Sequence, residues 1–192
     1  MKKPLTILCS LAAVAATMLS SCSSTEGVLP ENTTPSYVCV EVNSGRLLYA
    51  SNATEKRPIG MLANVATGCV VTDWVKAGDV NMDTLITVPV EATRWPKTNL
   101  LNLKPGEKLS IRDALYSTMM WDDSASAMTL AYACGSALSS GNPAGAFVDQ
   151  MNRLAARLGM HSTYFKGPSG AQVSQSTARD MALLGMYATG NA

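Results

Sequence analysis

The chain has 192 residues, 15 of them basic and 14 acidic, and a formal net charge of +1 at neutral pH. So balanced a composition offers no large net positive charge to support nucleic-acid binding, while the length suffices for one domain with a sizeable core. The cysteines include no close pair of the kind that opens a zinc site, and there is no glycine-rich phosphate loop, so neither a metal nor a cofactor is expected.

The chain opens with an address. Lys2 and Lys3 form a positive head, and Leu5 to Leu19 is an uncharged, mainly apolar stretch of fifteen residues. That is shorter than the ~20 residues a spanning helix needs and reads as a secretory signal over residues 1–21. It closes on Leu19-Ser20-Ser21-Cys22, which resembles a bacterial lipobox. Cys22 is then the expected first mature residue and site of lipidation, with membrane lipid as its partner, since several acyl chains make such an anchor stable. By resemblance to other lipoproteins, Ser23 in place of an Asp favours an outer membrane. Residues 22–35 are polar, hold two prolines and show no apolar period, and so read as a flexible tether. Without residues 1–21 the chain keeps 13 basic and 14 acidic residues.

The remaining domain, residues 36–192, begins with a hairpin. Tyr37 to Val42 alternates with β-branched residues, Ser44-Gly45 signals a turn, and Arg46 to Ala50 is a second short run. No other strand pair is as strong. From Met61 the period becomes helical, with Met61, Leu62, Val65, Ala66, Cys69, Val70 and Trp74 on a stripe wide enough for a central helix. Asp83 to Val90 is a short β-prone stretch, and Pro105-Gly106 marks a turn in an irregular region with little sheet. Ser110 with Asp113 forms a capping box for a helix through Met120. Another helix spans about Ser124 to Ala133. Asn142-Pro143 opens one whose face carries Phe147, Met151, Leu154 and Leu158 up to the Gly159 stop. Ser176 is the expected cap of a last helix, Thr177 to Ala188. Cys39, Cys69 and Cys134 allow either one disulfide with an odd thiol or three buried free thiols.

Four stretches in order, SGRLLYASNATEKRP at 44–58, LNLKPGEKLSIRDALYSTMM at 101–120, FVDQMNRLAARLGMHSTYF at 147–165 and STARDMALLGMYA at 176–188, resemble the serine D-alanyl-D-alanine carboxypeptidase family (peptidase S11), which shares its fold with penicillin-binding proteins and class A β-lactamases. The resemblance implies a helix-rich α+β fold of the β-lactamase/transpeptidase type, with an N-terminal β-hairpin and an incomplete antiparallel sheet. It also implies a chemistry that this chain departs from. The family places a Ser at the start of a buried helix and a Lys three residues later, so that the amine lies beside the hydroxyl and can take its proton. Met61 stands at the Ser position and Asn64 at the Lys position, and neither side chain can act in that role. No Ser in the chain has a Lys three residues on. For the family's second motif, S-x-N, an ungapped count selects Asp122-Asp123-Ser124 and a two-residue slip selects Ser124-Ala125-Ser126. Neither supplies the Asn. The third, K-T-G, is expected beyond the last helix and is not reached before Ala192.

Other residues invite chemistry less. Asp122 and Asp123 are adjacent at a helix entry, where negative charge is favourable for structural reasons, and helix capping is expected of them. His161 is the lone histidine and sits in a connection. Met119, Met120 and Trp121 read as core. The leading expectation is a catalytically inactive, membrane-tethered relative, a pseudoenzyme that recognises a peptidoglycan stem peptide or a cell-wall protein. An active serine hydrolase working through substituted residues, and a truncated product of the gene, are the alternatives.

Overall fold

The computed structural model describes residues 36–94 and 96–190; the expected signal and tether lie outside them. The alternating segment after Ser36 forms β1 (Tyr37–Val40), antiparallel to β2 (Leu47–Ser51) with Tyr37 opposite Ser51 and an irregularity between Cys39 and Val40. The turn is organised by Glu41. Its carboxylate accepts bonds from the Ser44 hydroxyl and from the N–H groups of Asn43 (3.0 Å) and Ser44 (2.7 Å). The Ser44 hydroxyl and these two N–H groups hold its pKa at about 2. Gly45 follows at φ +68°, where a side chain would be strained.

Two further pairs complete the sheets, β3 (Arg57–Pro58) with β6 (Gln175–Ser176) and β4 (Leu85–Thr87) with β5 (Lys108–Ser110), each antiparallel. The expectation of a single clear strand pair is thus corrected to three two-stranded sheets. Strands of two or three residues carry no readable alternation, and a proline in one of them argues against a strand at all. The fold class stands: a helix-rich α+β body with open antiparallel sheets.

Among the described residues five α-helices make that body: α1 (Ala63–Gly78), α2 (Ile111–Trp121), α3 (Ser124–Ser136), α4 (Pro143–Arg157) and α5 (Ala178–Gly190). α1 touches each of the other four, and β1 lies against α5. Ala63, Ala66, Cys69, Val70 and Val71 of α1 are buried, as its apolar circumference requires. The helix begins later than its stripe predicts, because Gly60–Leu62 is a short 3-10 turn that leaves Leu62 exposed.

The helix ends follow local chemistry. Ser110 Oγ accepts from Asp113 N–H at 3.0 Å and donates to Asp113 Oδ2 at 2.7 Å. Asn142 Oδ1 accepts from Gly145 N–H, with Pro143 in the first turn, and Gly159 stops the chain beyond α4 at φ +74°. At α5 the expectation shifts by one residue: Thr177 Oγ1, not Ser176, accepts from Asp180 N–H at 3.1 Å. Ser176 belongs to β6, its hydroxyl 2.7 Å from that of Thr163.

Phe147, Phe165, Ile111, Leu130 and Met151 are fully buried, each contributing about 1.5–3 kcal/mol by leaving water. Three other apolar residues do not join them. Met119, Met120 and Trp121, expected in the core, are 44%, 75% and 66% exposed. The last turn of α2 is left largely in solvent, with only Met119 reaching over Gly68 of α1. The three described cysteines are unpaired, with Cys39 exposed and Cys69 and Cys134 buried, so the reading of three buried thiols holds for two. Burial pushes Cys134 up to about 12 and, with the Asp73 carboxylate adding to it, Cys69 up to about 11, which leaves both inert as nucleophiles. No described helix is long and apolar enough to cross a membrane.

The α3–α4 contact is the tightest place in this packing. A Cβ built on Gly135 would stand 2.6 Å from the carbonyl carbon of Pro143, which is backbone and cannot swing aside. Gly135→Ala is therefore expected to destabilise the domain by about 2 kcal/mol or more. Gly185→Ala, in α5 with nothing within 4 Å of its Cβ, should stabilise it by up to about 1 kcal/mol. Thermal melts of the two variants check the contrast. Equal melting temperatures would contradict the packing described.

Candidate functional site

The site is built at the corner where α2 meets α3, opposite the start of α1. α2 ends because Asp122 adopts φ +54°, a left-handed conformation that Asp tolerates better than most residues. The chain then reverses into α3, and the two adjacent carboxylates part company. Asp123 is 0% exposed. Its Oδ2 accepts from Ser126 N–H at 2.7 Å, as an N-cap should, while its Oδ1 accepts from the N–H groups of Leu100 (2.6 Å) and Leu101 (3.4 Å). One carboxylate thus caps α3 and ties the loop 99–102 to the corner. Asp122 is exposed, closes α2 instead of opening α3, and reaches α1. The capping role expected of the pair therefore belongs to Asp123, and the role of Asp122 is corrected by its backbone conformation.

Asn64 lies in the first turn of α1 and is 2% exposed. Its Nδ2 donates to Thr118 O at 3.1 Å and to Asp122 Oδ1 at 3.3 Å, so a single amide joins α1 to the body of α2 and to the corner. Asn64 Oδ1, Ser124 Oγ and Ser126 Oγ are buried without a hydrogen-bond partner among the described residues. No base therefore touches either serine hydroxyl. Met61 sits in the 3-10 turn just before α1, half-buried. The loop 167–172 presses on that turn: a Cβ on Gly170 would collide with Met61 Sδ and stand 2.7 Å from both the Gly60 carbonyl carbon and the Met61 nitrogen. Thr67 Oγ1 holds the same loop to α1 by donating to Pro168 O at 2.6 Å.

Of the four positions singled out in the sequence, the structure joins Asn64 and Asp122 by a hydrogen bond. It sets Ser124 two residues further along the corner and Met61 on the loop 167–172. Asp123 had signalled only capping; its hold on the 99–102 loop has no local sequence signal. The groups assembled here are an amide, two carboxylates, hydroxyls and a thioether. They can hold shape and exchange hydrogen bonds, but an amide is no base near neutral pH and a thioether has no proton to lose. His161 is exposed, away from any described hydroxyl bond. Among the described residues no cluster of three or more His, Cys, Asp or Glu could hold a metal. A groove of about 800 Å³ runs along the outer faces of α1 and α2 beside Val65, Cys69, Leu115 and Met119 and ends at Met120. Its lining is largely apolar, with Thr72, Lys76, Arg112 and Tyr116 as polar members; the corner, where buried hydroxyls and carboxylates meet the start of α1, is the better candidate for chemistry or recognition.

Comparison with known proteins places this arrangement. The sequence profile of the D-alanyl-D-alanine carboxypeptidase family matches residues 23–191. The chain is 31% identical over 159 residues to D-alanyl-D-alanine carboxypeptidase DacC of Escherichia coli, covering 78% of this chain and 38% of that protein. It is 30% identical over 167 residues to DacA of the same organism, covering 82% and 39%. It spans about two fifths of these relatives' length. Among solved structures, that of DacD from Francisella tularensis matches with a TM-score of 0.73 at 27% identity over 81% of this chain and 37% of that one. A mutant of the Streptomyces K15 DD-transpeptidase matches with a TM-score of 0.76 at 25% identity over 85% and 64%. The hairpin, the central helix, the α2–α3 corner and a profile running through all of them agree: this chain belongs to the D-alanyl-D-alanine carboxypeptidase family.

Proposed function

We propose that the chain is a cell-wall-associated lipoprotein, anchored to a membrane through Cys22, that keeps the family's fold for recognition of a peptidoglycan stem peptide or a cell-wall protein and does not hydrolyse it. The observation that carries this reading is the buried Asn64 amide, fastened to Thr118 O and Asp122 one helical turn beyond Met61. On the family resemblance, these are the positions of the base and the nucleophile. Acylation needs a hydroxyl whose proton is taken as it attacks. Met61 offers no hydroxyl, and Asn64 offers no free pair of suitable basicity. The bond from Asn64 to Asp122 also supports the ungapped register, in which Asp122-Asp123-Ser124 stands where the family has S-x-N.

The division of residues is domain 36–192, tether 22–35 and signal 1–21. It gives the protein a place in the envelope. Charge is consistent with this setting, since residues 22–192 carry 13 basic and 14 acidic side chains and offer no general attraction to nucleic acid.

Two measurements test the proposal. Incubated with a peptide ending in D-Ala-D-Ala, the purified chain should release no D-alanine above a protein-free control. Members of one catalytic unit are non-additive, so losing nucleophile and base together leaves only what binding supplies. Release that disappears in Ser124→Ala would contradict inactivity and identify another nucleophile. Separately, cells fed radiolabelled palmitate should label the chain, and Cys22→Ser should abolish the label; persistent labelling in that variant would place the lipid elsewhere.

A further inference from the structure

The corner carries a surface that its own chemistry does not use. Residues 94–112 hold five basic side chains, Arg94, Lys97, Lys104, Lys108 and Arg112, and one acidic, Glu107. The rest of residues 22–192 holds eight basic and thirteen acidic, so positive charge is concentrated on one segment of an otherwise acidic domain. All five cations are exposed, and among the described residues only Arg112 of the five is ion-paired, to Asp83 at 2.9 Å. Within the same segment Leu100 and Leu101 are 57% and 42% exposed. Lys97 and Lys104 flank them three residues away on either side.

Asp123 connects this loop to a second apolar group. By accepting from the N–H groups of Leu100 and Leu101 it fixes residues 99–102 at the end of α2, where Met120 and Trp121 are 75% and 66% exposed. Two leucines and a tryptophan therefore lie about one corner, with Met120, which also lines the α1–α2 groove, next to Trp121 in the last turn of α2; the exposed Lys97 and Lys104 lie beside the leucines, Lys104 donating to Asn102 Oδ1 at 2.8 Å, and Asp122 is an exposed carboxylate at the corner itself. Exposed apolar groups gathered on a rim mark an interaction surface. Apolar side chains with an indole, edged by lysines, match an anionic bilayer: the apolar groups enter the headgroup boundary, Trp is at home there, and each lysine gains from the negative surface potential.

We infer that the corner formed by Leu100, Leu101, Met120 and Trp121, with Lys97 and Lys104, docks onto the surface of an anionic phospholipid membrane. This contact is separate from the lipid proposed at Cys22 and acts beside it as a second membrane signal, one that is reversible and sensitive to salt.

The test uses the full chain in every variant, so that residues 1–35 contribute equally throughout, and co-sedimentation with vesicles of pure phosphatidylcholine or of three parts phosphatidylcholine to one part phosphatidylglycerol. Binding should be stronger to the anionic vesicles and the excess should vanish at high salt. Lys97→Gln with Lys104→Gln should reduce that excess about twenty-five-fold, at about fivefold per lysine. Leu100→Gln with Leu101→Gln should reduce it at unchanged charge. Because all four residues are exposed, far-UV circular dichroism should show the variants folded. Trp121→Phe should retain binding but lose the blue shift of tryptophan fluorescence on the vesicles. Equal binding to both vesicle types, or anionic binding untouched by either pair of substitutions, would overturn the inference. So would selective capture by insoluble peptidoglycan with no vesicle preference, which would make the rim a wall-binding surface.

Discussion

The structure depends on one helix being surrounded. α1 meets every other helix of the described chain, so the residues of its first turns, from Ala63 to Val71, must be small, apolar, or polar with partners close at hand. Alanine, valine and cysteine meet the first conditions along most of its length. Asn64 meets the last, and it does so at the turn nearest the α2–α3 corner. A neutral amide at 2% exposure loses far less on burial than an ammonium would, and two acceptors nearby recover part of that loss. The helix can therefore stay central with no charge in its first turn.

That arrangement ties the fold to the functional reading. In the family the same turn is expected to carry a lysine, whose charge must be balanced by the groups it serves in catalysis. Here Asp122 is left exposed and bonds to an amide, while Asp123 is wholly buried among backbone N–H groups that satisfy it. The two carboxylates are one residue apart in sequence and serve different ends: one steadies α1 against α2, the other fastens the 99–102 loop to α3. The corner thus keeps its shape through hydrogen bonds that require no nucleophile.

What could be read in advance was local. The hairpin, the Ser110–Asp113 box, the Asn142-Pro143 start and the Gly159 stop are each settled within a few residues, and each appears within one or two positions of where its chemistry points. The family resemblance, carried by four stretches in order, supplied the arrangement of these pieces. What escaped was set by distance along the chain. Arg57–Pro58 pairs with Gln175–Ser176 across more than a hundred residues, and nothing in either dipeptide announces the other. Met119, Met120 and Trp121 are apolar at helical positions, but whether a last turn faces a neighbour or solvent is decided by the neighbour. Likewise the difference between Asp122 and Asp123 lies in a backbone angle that two identical side chains do not reveal. Met61 and Asn64 stood out because the resemblance says what should have been there. The hydrogen bond joining Asn64 to a residue 58 positions away is legible only in three dimensions.

The central claim is that the fold persists while the nucleophile and its base have been replaced by residues that pack and bind structurally. Gel fluorescence of the intact chain after incubation with a labelled penicillin tests it most directly, because a β-lactam reports an acyl-enzyme without requiring turnover. The account predicts no covalent band at Met61, Ser124 or any other residue. A stable band, abolished by unlabelled drug and mapped to a single serine, would contradict it.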